Sequence, residues 1–422
     1  MSSIRPFRAV YYNQDKVEDL SNVVCPPYDI ISEEEQNVLT NLSPYNFIHV
    51  LLGKDQEGDD KKNNKYRRAK KIYNEWLDEK ILIQDAKPSI YFYRQEYTIQ
   101  GQRHSRKGFI ALMELQDEED SRIRPHENTH SKAIEDRLKL WTELNSNLSC
   151  IFVCYADRQK RIDKIFIKNV IVNAPIVDIE DNDGVRHIVW RLDDANLIRE
   201  ISGSLLDQHL FIADGHHRYK VAMEFRHSKL SGQTGLDGTE PQNFLMTYFT
   251  NIDSKDLKIF PMHRIVKNMP KDIRFLDEFF RIDKVKTKED LVILLARAGR
   301  NEHAFGLYTR DGIRLLRLKN KLLIDQYVKE GSKDYKSLDA TILKYFVFDR
   351  VGIKSDDIIY TKDLHEATGL VENGSVSASF IMNAVKISQL KAIALNDEKM
   401  PPKTTYFYPK VLSGLTVYNM DV

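Results

Sequence analysis

Residues 209–226 fix most about what this chain can become. Leu210, Phe211 and Ile212 form a short apolar run suited to a buried strand, and Asp214-Gly215 interrupts it. Beyond the break, Tyr219, Ala222, Met223 and Phe225 recur at helical spacing, with Lys220, Glu224 and Arg226 on the other side. The pattern predicts strand, tight glycine turn, helix, with His216, His217 and Arg218 in the first helical turn. A helix start offers unpaired N–H groups and a partial positive charge, which suits an anion. Two imidazoles and a guanidinium at that positive end cost stability unless a phosphate-like ligand is expected there. Gly215 permits backbone conformations difficult for other residues and a close ligand approach.

At 422 residues the chain has room for two or three compact domains. Its 63 basic and 62 acidic residues give a formal charge of +1, which argues against a general nucleic-acid or membrane-surface binder. The N-terminal residues carry no apolar signal core, and no stretch reaches spanning length. A cytoplasmic protein with no membrane partner is therefore expected. Cys25, Cys150 and Cys154 make neither a disulfide framework nor a Cys-x-x-Cys pair. There is no internal repeat, Walker A loop, GxGxxG or HExxH motif.

Taken in order, residues 7–12 read as a strand. In Cys25-Pro26-Pro27-Tyr28-Asp29 the prolines force an extended approach, and Ser32 with Glu35 forms a capping box. Tyr28 and Asp29 thus stand on a stiff loop before a helix. Residues 46–52 look like a strand, and a helix starts near Lys65. Residues 90–99 and 107–115 form a hairpin around Gly101. An acidic loop, 117–120, precedes Arg124-Pro125-His126-Glu127. A helix from about Lys132 turns Ile134, Leu138 and Trp141 inward, with Arg137 and Lys139 outward. His126 and Glu127 at this junction suit acid/base or metal-binding work.

A buried strand is expected at 148–156, a Gly-rich loop at 232–241 and a strand at 243–250, followed by Pro261-Met262-His263-Arg264. His263 and Arg264 again suit an anion. Helix 289–298 and strands 304–308 and 314–318 read as a smaller α+β lobe, and residues 338–347 as an apolar helix. The tail 400–410, with its prolines, aromatics and two lysines, reads as an ordered loop. There Thr404 and Thr405 beside Lys403 suit a phosphate.

Two resemblances meet at these residues. The ordered set PPYD (26–29), RPHE (124–127), DGHHRY (214–219), PMHR (261–264) and MPPKTTYFYPK (400–410) resembles a large bacterial and archaeal family of domains of unknown function, family 1015. Met262 and Thr404 depart mildly from the Thr and Ser frequent there. More locally, Gly215–Tyr219 is similar to the glycine-x-His-Arg-Tyr turn of the ParB/sulfiredoxin-like superfamily, which holds nucleotide phosphates at a helix start. That superfamily includes free-serine kinases. His216 stands where sulfiredoxins carry their reactive cysteine, which disfavours sulfinic-acid reduction. The long stretch before the DGHH turn also departs from compact ParB-like domains.

These resemblances imply an α+β fold: a ParB/sulfiredoxin-like nucleotide-binding core with large insertions and a smaller lobe. Expected boundaries are a main domain over 1–265, the smaller lobe over 266–335, and a C-terminal segment over 336–422 returning to the main domain and its site. The implied activity is nucleotide-dependent phosphotransfer to or from a small hydroxyl metabolite, serine/phosphoserine foremost, with ATP or ADP and Mg²⁺. His216, His217 and Arg218, with Gly215, would cradle phosphates. Asp214 or Glu127 would hold Mg²⁺ or accept a proton, and His126 and Asp29 are further acid/base candidates. His263, Arg264, Lys403, Thr404, Thr405 and Lys410 would contact phosphate, and Tyr28 and Tyr406 substrate. A metal-dependent phosphatase or phosphodiesterase using His126, Glu127, Asp214 and His216, and a non-catalytic nucleotide-binding module, are the alternatives. Nucleic acid is not an expected partner.

Overall fold

A computed structural model describes residues 3–117, 121–129 and 131–421. Residues 118–120 of the expected acidic loop lie outside it. The chain has the mixed α+β character expected and divides into two compact units. The first comprises Met1–Arg124, Thr129–Leu257 and Pro409–Val422; the second comprises Pro125–Asn128 and Lys258–Tyr408. Among the described residues no helix is long and apolar enough to cross a membrane.

The first unit is built on a nine-stranded sheet. Its order is Ile123–Arg124, Leu210–Asp214, Ile151–Tyr155, Phe244–Asn251, Gln102–Glu114, Ile90–Ile99, Arg186–Leu192, Val177–Glu180, with Ile4–Arg5 also paired to Gln102–Glu114. Strand Ile151–Tyr155 is buried at every position, which explains its unbroken apolar run. The hairpin of Ile90–Ile99 and Gln102–Glu114 turns at Gln100 and Gly101, both at positive φ. Helix Glu33–Leu42 begins as its capping box predicts: the Ser32 side chain accepts from the Glu35 amide at 3.1 Å. The three cysteines are free and buried.

Two expectations need correction. The 46–52 stretch contains helix Ile48–Leu51 rather than a strand. Buried Asn46 decides this: its side-chain oxygen accepts from the Ile48 amide at 3.0 Å, while its amide donates to the Asn22 carbonyl at 2.8 Å. Short apolar runs carry no period that separates the two states, so this local cap prevails. Arg137, expected to face outward, is buried (4 % exposed) because the Leu51 carbonyl and the Asp136 carboxylate accept from it.

The second unit holds a six-stranded antiparallel sheet ordered Phe280–Val285, Gly312–Leu318, Ala304–Thr309, Ala378–Ile381, His263–Val266, Ile358–Thr361. It has a large core around Phe279, Phe305, Phe346 and Phe380, and a second around Leu291, Leu295, Ala367 and Val371. Residues 338–347 contribute helix Asp339–Leu343, which continues into a wider turn over Lys344–Phe348. The tail adds only a short strand, Tyr406–Tyr408, paired with Lys258–Phe260.

Candidate active site

In the first unit, strand Leu210–Asp214 runs into helix His216–Leu230 through Gly215 alone. Register against Ile151–Tyr155 shifts between Ile212 and Asp214, an irregularity of the kind that re-aims a side chain at a strand end. Gly215 has φ +89°, and a Cβ there would lie 3.0 Å from Ile151 Cγ2 and 3.2 Å from Arg218 Cζ. Only glycine meets both constraints. It offers no side-chain cap, so the first-turn N–H groups have no help from the N-cap residue.

The cation crowding expected at this helix start is relieved by Asp214. Arg218 Nη2 donates to Asp214 Oδ2 at 2.9 Å, and Arg218 Nη1 also donates to the Cys150 carbonyl. Lys410 Nζ donates to Asp214 Oδ1 at 2.5 Å. Burial alone would raise the Asp214 carboxyl. The Lys410 ammonium and Arg218 guanidinium outweigh that, with His216 adding to them, and hold it well below the usual carboxylate range. Burial would also lower the Arg218 guanidinium, but Asp29 and then Asp214 raise it above its ordinary value. Tyr28 is pushed up to about 12 by burial and by Asp29, opposed by Arg218 and Arg137. The PPYD loop and the DGHH turn therefore share one electrostatic cluster: Tyr28, Asp29, Asp214, His216, Arg218 and Lys410. His217 lies in the same helical turn, half-buried.

Sequence reasoning missed the residues that hold this cluster in place. Fully buried Arg106 donates through Nη2 to the Pro409 carbonyl at 2.6 Å and to Gln95 Oε1. Gln95 Nε2 donates to the Lys410 carbonyl at 2.7 Å. The two side chains thus grip the backbone that carries Lys410. They are direct cross-strand partners in the hairpin, so aligning strand 90–99 with its mate across Gly101 would have paired them. Arg137 stacks its guanidinium 4.4 Å over the Tyr28 ring, and Asp136 accepts from Tyr66 Oη at 2.8 Å.

The remaining expected residues belong to the second unit. His126 Nε2 lies 3.4 Å from Thr405 Oγ1, whose hydroxyl donates to Glu127 Oε1 at 3.2 Å. A hydroxyl has one proton to give, so the line runs from His126 through Thr405 to Glu127. Thr404 turns its hydroxyl to the Pro401 carbonyl at 2.5 Å, Lys403 is exposed at φ +50°, and Tyr406 Oη lies 3.3 Å from Lys362 Nζ. His263 and Arg264 are buried in the sheet, away from the His126 line in hydrogen bonding: His263 Nδ1 accepts from the Met382 amide at 3.1 Å, and Arg264 Nη1 donates to the Met262 carbonyl at 2.7 Å.

Among the described residues no group of three His, Cys, Asp or Glu side chains is placed to hold a metal ion. Asp214 does not fit Mg²⁺ as a ligand, because each of its oxygens is already paired with a cation.

The fold and this corner define a mixed α+β protein with a charged strand–glycine–helix turn. Residues 4–341 match the family described as "Protein of unknown function (DUF1015)", and the chain belongs to that family. A search of curated protein sequences finds no match. Among solved structures, a conserved hypothetical protein from Pyrococcus furiosus is 15% identical, with 71% of this chain and 93% of that one covered at a TM-score of 0.35. A free serine kinase in complex with AMP is 16% identical, with 68% and 83% covered at 0.34. SbnI with C-terminal truncation from Staphylococcus aureus is 10% identical, with 71% and 84% covered at 0.36.

Proposed function

We propose that the protein is a nucleotide-dependent phosphotransferase acting on a small hydroxyl metabolite, with serine or O-phosphoserine the preferred substrate. The observation that carries this reading is the Asp214–Gly215–helix corner, in which Arg218 and Lys410 converge on one buried carboxylate at a helix start whose N-cap is glycine. Phosphoryl transfer relies on positioned positive charge more than on covalent chemistry. In this reading the N–H groups of His216, His217 and Arg218 receive phosphate oxygens, and the imidazoles of the same turn neutralise them. Asp214 orders Arg218 and Lys410. Its carboxyl stays ionised and doubly paired, so it is a poor proton acceptor; Asp29, exposed beside Arg218, takes that role. Tyr28 lines the substrate side. Serine as the substrate rests on the likeness of the 215–219 turn to that of the free-serine kinases. ATP or ADP supplies or receives the phosphoryl group. Mg²⁺ is expected to accompany the nucleotide. His126, Thr405 and Glu127 form a second acid/base candidate set on the other unit.

The test is phosphorus NMR of the full chain with Mg²⁺, serine and ATP or ADP, and in parallel with O-phosphoserine and ADP or AMP. Transfer in either direction supports the reading, and a His217→Ala variant should lose it. Phosphoserine split without nucleotide would replace it by the hydrolase reading. Nucleotide binding with no turnover on any hydroxyl substrate would leave a binding module.

A further inference from the structure

The second unit contains a separate cleft of about 510 Å³ at one end of its six-stranded sheet. It lies where strand Ala304–Thr309 begins and the neighbouring strand Ala378–Ile381 ends, so His303 and Asn383 face it from adjacent strands. Arg300, Lys321 and Lys386 stand around it. Lys321 Nζ donates to the Asn301 carbonyl at 3.3 Å and Lys386 Nζ to the Gly299 carbonyl at 3.5 Å. Among the described residues none of the three pairs with a carboxylate. Glu302 and Asp339 also line the cleft, but Asp339 is already engaged: its Oδ1 lies 2.8 Å from His303 Nδ1. A carboxylate only accepts, so His303 Nδ1 carries the proton, and Nε2 is the ring's other polar atom.

Two details indicate a built site. Gly299, just after the helix Lys288–Ala298, leaves room for the Asn383 amide, which a Cβ at that position would strike. The same amide donates to the Leu295 carbonyl at 3.3 Å, which fixes its orientation. In the same sheet, Arg264 is 4 % exposed and its Nη2 has no hydrogen-bond partner among the described residues; burial lowers its guanidinium, with Tyr360 and then Asp339 acting against that. The hydrogen-bonded Asp339–His303 pair thus forms one wall of the cleft.

We propose that this cleft binds the phosphate group of a small phosphomonoester. Three cations without carboxylate partners exclude a cationic ligand, and a charged lining excludes an apolar one. A carboxylate is satisfied by one arginine fork. Arg300, Lys321, Lys386, the His303 ring and the Asn383 amide supply donors in the number that three phosphate oxygens use.

The test is hydrogen exchange of the full chain over residues 296–303 and 383–389. The titrants are inorganic phosphate, glycerol phosphate, and sodium chloride at matched ionic strength. Slowed exchange with either phosphate but not with chloride is expected, and the arm that acts at lower concentration tells free phosphate from phosphomonoester. The variant R300E/K386E, changed at two exposed positions, should weaken the effect by about tenfold or more; K321E serves if that variant does not fold. Equal slowing by chloride, or phosphate binding unchanged in the variants, would overturn the proposal. The readout involves neither Asp214 nor Lys410, so it stands or falls apart from the phosphotransferase reading.

Discussion

Replacing Lys410 by Met tests the central ion cluster. At 2.5 Å and an effective dielectric of about 20, the Lys410–Asp214 attraction is about 7 kcal/mol, most of it offset by taking both ions out of water. The side chains are 10 % and 16 % exposed, so little solvent screens what is left after the lysine is removed. Arg218 still faces Asp214 Oδ2, which limits the penalty. We expect Lys410→Met to destabilise the first unit by about 3 kcal/mol at pH 7, near the lower end for breaking a buried pair. Asp214→Asn should cost a similar amount, because it leaves two cations facing a neutral amide. The double variant should cost much less than the sum, with a coupling of about 2 kcal/mol. The pH dependence has a definite sign. The folded Asp214 carboxyl is depressed, so its contribution is full above the unfolded carboxylate range and is lost only as pH falls through the lower folded value. Without Lys410 that folded value rises. The gap between wild type and Lys410→Met should therefore be widest at neutral pH and narrow below about pH 4. Native-state hydrogen exchange of strand Leu210–Asp214, at pH 7 and pH 3, reads both. Additive single variants, or a gap that does not change with pH, would refute the view that Lys410 compensates Asp214.

Further substitutions separate other contributions. Gly215→Ala should lose about 1–2 kcal/mol from its positive φ plus a crowding cost against Ile151; Gly184→Ala, also at positive φ but with open space around it, should lose the strain alone, and the difference in urea midpoints measures the crowding. Arg106→Met should orphan the Pro409 carbonyl and Gln95 Oε1, cost about 1–3 kcal/mol per buried acceptor, and speed amide exchange over 409–413, with Arg106→Lys recovering part of it. The His263 imidazole is pushed down to about 4 by burial and then by Arg264, so between pH 6.5 and 4 the unfolded chain binds the extra proton. The second unit should lose up to about 3 kcal/mol as pH falls through that window, and His263→Gln should remove this dependence in urea titrations at pH 7 and 4.5.

What the chain reveals before folding is its local chemistry. Ser32 and Glu35 mark a helix start because the hydroxyl meets an amide three residues on. Asp214-Gly215 marks a turn because only glycine takes that φ beside Ile151. Residues 46–52 mislead because five apolar residues in seven fit either period, and the Asn46 side chain that caps the Ile48 amide is held by a tertiary contact to the Asn22 carbonyl. Arg137 misleads for the same reason. Its place on the helix wheel reads as solvent-facing, and the Leu51 carbonyl 86 residues away, the Asp136 carboxylate and the Tyr28 ring together make up for its burial. Gln95 and Arg106 occupy an intermediate case: hairpin register brings them opposite each other, but nothing in the strands tells that Pro409 and Lys410 will lie against them.

The last of these contacts explains how a charged corner can persist inside a sheet protein. Lys410 and Asp214 are separated by 196 residues, and the chain between them includes nearly all of the second unit. The segment after Lys410 is tied to the first unit at four further places. Ser413 exchanges backbone hydrogen bonds with Cys25 at 2.8 and 3.2 Å, Val417 does so with Val10, Tyr418 pairs with Asn147, and the Met420 amide donates to the Asn145 carbonyl at 3.0 Å. Cys25 opens the same loop that presents Tyr28 and Asp29. One docked strand of chain therefore fixes the PPYD loop on one side and delivers the Asp214 counter-charge on the other. Without that segment, Asp214 keeps Arg218 and His216 but loses its ammonium partner, and the Arg106 and Gln95 donors lose the 409–410 backbone. Neutralising the buried carboxylate and fixing the PPYD loop thus depend on the same docked segment, and bringing Lys410 to Asp214 closes a loop across a sequence separation of 196, at an entropic cost that grows only slowly with loop length.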